Sequence, residues 1–314
     1  EAIDDVVVAY PTVDRVAIAR LAVDARAARR VTVMIDSVDQ LDLIDSVVPA
    51  AQRETLRICL DFDASWRAPV LGHLGVLRSP VHEPAQLRRL AEQVVARPGF
   101  ALVGVMSYEA QIAGVGDAPA GRFAGAAVRA VQRASVAELR ERRAQAVSQV
   151  REIAALEFVN GGGTGSLERT STEAHLTEVA AGSGLFGPHL FDHYRSFSPA
   201  PAVAFALDVV RRPRADAVTL LGGGWAASGP AGADRLPQVA WPQGLRFASH
   251  EGAGEVQTPV IGPAARTLAI GDRVWLRHTK SGEPMEHVTA VVPVRGGTAA
   301  DPLPTYRGEG RSFL

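Results

Sequence analysis

Lysine is almost missing from this sequence. Lys280 is the only one, and the other 32 of the 33 basic residues are arginine. Any lysine chemistry performed by these 314 residues therefore falls on Lys280. Cysteine is as scarce. Cys59 stands alone inside an apolar run, which excludes a disulfide framework and reads as a core thiol of an intracellular, cytoplasmic chain. No apolar run approaches the roughly 18 residues of a membrane helix. An excess of positive charge is missing too: 33 basic residues face 34 acidic ones, for a net charge of −1. A nucleic-acid-binding face is therefore not expected.

What is present is core material. The chain is 47% hydrophobic and 21% charged, which suits one large domain plus a smaller one. The most telling stretch runs from Val159 to Leu167, Val-Asn-Gly-Gly-Gly-Thr-Gly-Ser-Leu. An apolar strand ending in glycines and a hydroxyl residue suits an anion. Bare backbone approaches closely, its N–H groups point at the charge, and a following helix start adds partial positive charge. No Gly-Lys-Ser/Thr follows, so this is not a Walker loop. A plain glycine turn is the competing reading. A second run, Ala181 to Gly187, contains Gly182, Ser183 and Gly184. Paired phosphate donors on late, consecutive strand ends are a habit of β/α barrels.

The order of elements agrees. Apolar strands are expected at Val6, Val31, Leu56, Phe100, Leu156 and Leu176, with a less certain one near Arg195 to Phe197. Helical patterns fall between them: Val13 to Arg30, Val38 to Val48, Pro84 to Ala96 and Phe123 to Ile153. Continuous apolar strands alternating with helices predict a parallel sheet covered on both faces. After Pro199 short alternating runs and glycine turns predict a β domain. The expected division is residues 1–198 and 199–314.

The two glycine runs, Ser107-Tyr108-Glu109-Ala110-Gln111, Arg277-His278-Thr279-Lys280-Ser281-Gly282-Glu283 and the tail from Thr305 to Leu314 together resemble one family. It is that of the pyridoxal-phosphate enzymes of the alanine racemase fold type, in the branch of D-threonine aldolase and D-serine dehydratase. The resemblance covers nearly the whole chain. It implies an α/β fold, a (β/α)8-type barrel followed by a C-terminal all-β domain. It also places the cofactor's lysine at the end of a first barrel strand. Here Val6 to Tyr10 matches the second strand, and the chain opens Glu-Ala-Ile-Asp-Asp with no Met. The expectation is a fragment whose barrel lacks that first strand and its lysine, inactive by itself, with fewer than eight strands in an unclosed arc.

By the same resemblance Gly163, Thr164 and Gly165 hold the cofactor phosphate, with Gly182 and Ser183 facing them. Tyr108 borders the cofactor ring; its alternative is a core aromatic. The branch binds a divalent metal through a His-x-Cys or His-x-Asp pair, where one intervening residue on a strand puts both side chains on one face. This chain has His278 and Lys280 there, and a protonated lysine is no ligand. Glu283, Glu286 or His287 could replace the missing ligand, or the Lys280 ammonium could stand where the metal stood. Otherwise His278 is a surface residue of a hairpin.

Asp61, Asp63, Arg67 and Arg78 suit either a substrate carboxylate or an ion-pair net. Asp36 reads as a helix cap, and His250 and Glu251 are weaker candidates in a turn. The reaction implied is an aldolase or a dehydratase (deaminase) acting on a small D-β-hydroxy amino acid. Alternatives are a racemase of the same fold and a non-catalytic barrel that binds pyridoxal phosphate or another phosphate. Family members are often dimers, so the resemblance also implies a homodimer.

Overall fold

The computed structural model describes residues 3–118 and 122–311. The chain divides into two compact units, Glu1–Ala181 and Gly182–Leu314.

The first unit is built on six parallel strands: β1 (Val6–Val8), β2 (Val31–Ile35), β3 (Leu56–Asp61), β6 (Phe100–Ser107), β7 (Phe158–Gly161) and β8 (Glu178–Val179). A small hairpin, β4 (Trp66–Ala68) and β5 (Gly72–Leu74), stands outside the sheet. The sheet order is β1-β2-β3-β6-β7-β8, the order of the chain. That winding belongs to a barrel; a doubly wound sheet reverses order midway. Among the described residues β1 and β8 end the row unpaired with each other, so the arc is an open half-barrel with fewer than eight strands, as expected. No strand forms at 195–197. That stretch follows a 3-10 turn, His189–His193, and its Tyr194 and Phe197 rings pack on Phe191 instead.

Alternation within each strand sorts the core into two layers. Val33, Ile35, Ile58, Leu60, Leu102 and Val105 pack outward against Leu41, Leu87, Val94 and Val150 of the helices. Met34, Cys59, Val103 and Phe158 fill the inner face. Burial pushes the Cys59 thiol well up, with Asp61 and Glu178 adding to it, as expected of a core cysteine.

The helices are α1 (Arg15–Val23), α2 (Ala25–Arg30), α3 (Val38–Val47), α4 (Pro84–Ala96), α5 (Ala110–Ala113), α6 (Arg122–Arg151) and α7 (Leu167–Thr170). The single helix expected over Val13 to Arg30 is two, divided at Asp24. Its carboxylate accepts from the Arg26 and Ala27 N–H groups at 2.9 and 3.0 Å, a cap that competes with helix continuation. At α3 the cap is Ser37, inside a capping box with Gln40. Asp36 supports it by accepting from Gln40 Nε2 at 2.8 Å.

The second unit is built on a six-stranded antiparallel sheet, with two short two-stranded ladders toward its end. Its strands are β9 (Phe205–Arg214), β10 (Ala217–Leu221), β11 (Gln238–Trp241), β12 (Arg246–Phe247), β13 (Gln257–Ile261) and β14 (Arg273–Arg277). They run in the order β11-β14-β9-β10-β13-β12 and curl until the end strands β11 and β12 approach each other. Val209, Val218, Leu220, Val260, Val274 and Leu276 form its core. Among the described residues no helix is long and apolar enough to cross a membrane.

Candidate functional site

In a parallel arc every strand ends on the same rim. There β2 delivers Asp36, β3 delivers Asp61 to Asp63, β6 delivers Tyr108 and Glu109, and β7 delivers Gly162 to Thr164. The rim is where this architecture places chemistry.

Asp61 is the unsettled acid of the rim. Burial pushes its pKa up to about 6, with Asp36 and Asp63 adding to the shift and Arg78 opposing it. Arg78 is exposed, lies 5.7 Å from the Tyr108 ring centre and forms no salt bridge among the described residues. Arg67 is exposed on β4, opposite His73. Asp63 resolves differently. Its carboxylate accepts from Ser65 N–H at 2.9 Å and Ser65 Oγ at 2.6 Å, and lies 3.1 Å from His82 Nδ1. Arg142 of α6 then donates to the carbonyls of Asp63, His82 and Ser65. Asp63 thus belongs to a net that locks the loop, and burial, with Arg142 and Arg67, holds His82 below the usual imidazole range.

Tyr108 is half-buried, and burial raises its phenol, with Glu109 adding and Arg78 opposing. Its ring lies on Gly163. A Cβ there would meet Tyr108 Cε2 at 2.8 Å and Ala113 Cβ at 2.9 Å. A Cβ on Gly161 would meet Arg143 Nη1 at 2.6 Å. Gly162 takes φ +82°, a left-handed conformation that glycine adopts without strain. Each glycine of the run thus has a separate steric or conformational reason.

The Gly163 N–H does not face outward; it donates to Ser166 Oγ at 3.2 Å. Thr164, 7% exposed, and Gly165 start a 3-10 turn, Thr164–Ser166, that runs into the four-residue α7. The helix start expected from the sequence is one turn long, too short for a macrodipole of consequence. Hydroxyl and N–H donors are what this turn offers an anion.

Sequence reasoning passed over the group beneath the turn. Glu109, 1% exposed, accepts from Arg143 Nη2 at 2.9 Å, Gly162 N–H at 3.1 Å, Ser166 Oγ at 2.9 Å and Thr170 Oγ1 at 2.5 Å. Arg143 is fully buried. A signal existed: Arg143 shares the helical spacing of Leu139, Ala146, Val147 and Val150, all buried. A charge on an apolar helix face needs a partner.

In the second unit β14 ends at Arg277, so His278 and Lys280 lie beyond the strand. The two-residue period that would put them on one strand face is not realised. Nor is His278 a surface hairpin residue: it is 1% exposed, with the Phe186 ring edge-on at 6.4 Å. Burial pushes its pKa down to about 4, a backbone contact at Val203 opposes that, and His189 and Arg277 reinforce it. Lys280 Nζ donates to Ser228 O at 2.6 Å and Ser228 Oγ at 3.1 Å. Glu283 Oε1 accepts from the Thr279 and Lys280 N–H groups at 3.2 and 2.9 Å. His287 stacks on Trp225 at 4.7 Å, and Glu286 bonds Tyr306. Among the described residues no three His, Cys, Asp or Glu side chains gather to hold a metal. Gly182 and Ser183 open a 3-10 turn, Gly182–Leu185, with Ser183 O accepting from Ser281 Oγ at 3.3 Å. His250 and Glu251 lie in an exposed turn.

An open β/α arc with a glycine turn on its rim, followed by an antiparallel β unit, defines the alanine racemase-like class. The match extends to sequence. The family model "Alanine racemase, N-terminal domain" covers residues 15–189, more than half of the chain, and the chain belongs to that family. Solved structures share the fold. D-threonine aldolase from Filomicrobium marinum aligns with TM-score 0.75 and 19% identity, over 97% of this chain and 76% of that one. D-threo-3-hydroxyaspartate dehydratase from Delftia sp. HT23 gives 0.65 and 17%, over 97% and 79%. The alanine racemase of Clostridium difficile 630 in complex with cycloserine gives 0.58 and 10%, over 95% and 78%. No curated protein matches the sequence. Such identities speak for the fold; activity is argued from the site.

Proposed function

We propose that this protein binds pyridoxal 5'-phosphate through the turn at 162–166 and serves a lyase reaction on a small D-β-hydroxy amino acid. The observation that carries the reading is the Tyr108 ring pressed on Gly163 beside the buried Thr164. One residue thus supplies a flat wall and its neighbour a hydroxyl donor, at the rim of a parallel arc. The residues fit the cofactor: bare glycine backbone permits close approach, Thr164 and Gly165 offer donors to phosphate, and Tyr108 offers a face to a ring. When bound, the cofactor withdraws electrons from the substrate Cα.

The chain's own groups have four tasks. Thr164 and Gly165 hold the phosphate. Tyr108 limits where the ring lies. Asp61, whose pKa of about 6 lets it exchange a proton near neutrality, supports Arg78 at the rim. On the substrate side the proposal assigns His278 and Lys280, with the Lys280 ammonium as the group that polarises the β-hydroxyl. Lys280 is not offered as the cofactor's attachment point, because Ser228 holds its ammonium. A divalent metal does not fit the donor set around His278, where among the described residues no three His, Cys, Asp or Glu side chains gather.

The test is an absorbance scan of the full-length protein with pyridoxal phosphate, followed by D-threonine, D-serine and D-alanine. A cofactor band that responds to the hydroxy amino acids with release of aldehyde or ammonia supports the lyase. A response to D-alanine alone, with loss of optical purity, replaces it with a racemase. No cofactor band, together with equal affinity for pyridoxal and its phosphate, overturns the reading.

A further inference from the structure

The acid beneath the glycine turn is not required by a simple phosphate cradle. A carboxylate has about four acceptor positions, and Glu109 uses four. Oε2 takes Arg143 Nη2 and Gly162 N–H; Oε1 takes Ser166 Oγ and Thr170 Oγ1. Three of these donors belong to one continuous segment. Gly162 is its entry, Ser166 its middle and Thr170 its far end. Ser166 Oγ in turn receives the Gly163 N–H at 3.2 Å. Thr164 and Gly165 are therefore held between two points that one carboxylate fixes.

A negative charge buried beside an anion site opposes binding unless it is neutralised. Arg143 supplies the counter-charge at 2.9 Å, with both side chains sealed from solvent. The guanidinium is otherwise sparsely satisfied. Its Nε and Nη1 have no hydrogen-bond partner among the described residues, and its second carboxylate, Glu173, is 3.5 Å away. An ion pair needed only for packing has no reason to spend three of its acceptor positions on the turn.

We propose that Glu109 is the positioning residue of the phosphate turn and that Arg143 is its counter-charge. The inference rests on the reading that the 162–166 turn holds a phosphate. Glu109 touches neither ligand nor reacting atoms; it sets where the Thr164 and Gly165 donors stand.

The experiment titrates the full chain with inorganic phosphate and with pyridoxal 5'-phosphate by calorimetry. Four variants are compared with wild type: Glu109→Gln, Glu109→Gln with Arg143→Met, Thr170→Val and Thr164→Val. Melting temperature and amide exchange over 162–170 are followed in parallel. Glu109→Gln is expected to lose about tenfold in phosphate affinity, and exchange over the turn to accelerate. The double variant removes both charges and should regain melting temperature but not affinity. Thr170→Val keeps the ion pair and cuts one tether, so about a threefold loss is expected without a change of fold. Recovery of both stability and affinity in the double variant, with Thr170→Val binding as wild type, reduces Glu109 to the counter-ion of a buried arginine and overturns the inference. If Thr164→Val weakens binding while Glu109→Gln and Thr170→Val do not, the phosphate reading stands and the positioning role alone fails. If wild type binds neither ligand, both fall.

Discussion

His278 and Lys280 stand two residues apart and meet opposite surroundings. His278 is 1% exposed, and burial holds its imidazole well below the usual range. The Lys280 ammonium is drawn to Ser228, 2.6 Å from its carbonyl. A pair that resembles metal ligands in sequence is thus a neutral, sealed imidazole beside an anchored cation. Chelation by EDTA should leave turnover of the full-length protein and its melting temperature unchanged. Loss of activity on chelation, restored by zinc or manganese, would overturn the ammonium role. Lys280→Ala should lower kcat far more than it weakens cofactor binding, because the group would act on the leaving hydroxyl.

Thr164→Val should weaken pyridoxal-phosphate binding by ~1–2 kcal/mol, the value of a hydrogen bond to a charged group. Pyridoxal, lacking the phosphate, should bind both proteins alike in the same titration. Equal losses for the two ligands would assign Thr164 to the turn's stability instead.

Gly163→Ala forces a Cβ to 2.8 Å from the Tyr108 ring. Overpacking of this kind costs about 1–3 kcal/mol. Urea unfolding should show the loss, and near-ultraviolet circular dichroism should report the displaced tyrosine. A variant as stable as wild type with an unchanged tyrosine signal would mean the ring does not rest there.

Asp61 sets a pH dependence whose sign is definite. Its folded pKa is raised from 3.8 to about 6. Between those values the native state holds a proton that the unfolded state releases, so stability falls as pH rises through the window. The size is at most about 3 kcal/mol by linkage. Asp61→Asn should therefore gain stability over wild type at pH 7 and match it near pH 4. His82 works the other way: its lowered folded pKa makes stability rise with pH toward the ordinary imidazole value. Only the wild-type minus variant difference isolates Asp61.

The parallel strands and the β unit were legible because apolar runs and glycine turns are local signals; the unclosed arc was expected only from the family resemblance. The break at Asp24 was not, since the apolar spacing continues through it and only the capping carboxylate interrupts the helix. Tyr108 and Thr164 were singled out separately, by the family resemblance; that the Tyr108 ring rests on Gly163, next to Thr164, appears only in the fold. Glu109 was hidden by its neighbour: a glutamate after a tyrosine reads as a surface residue until α6 places Arg143 beneath it. Asp63 and Asp61 look alike in sequence. Only the loop that returns Ser65 and His82 to Asp63 separates a structural carboxylate from an available one.

The unpaired ends of the arc carry one more consequence. A free strand edge is a template on which another chain can add, and long flat edges are the starting points of aggregation. Here the end strands of the described sheet are three residues at β1 and two at β8. Four of the six strands lie inside the row, with both edges paired. Brevity at the edges limits the register an incoming strand could find, so these two ends offer little backbone on which a further strand could add.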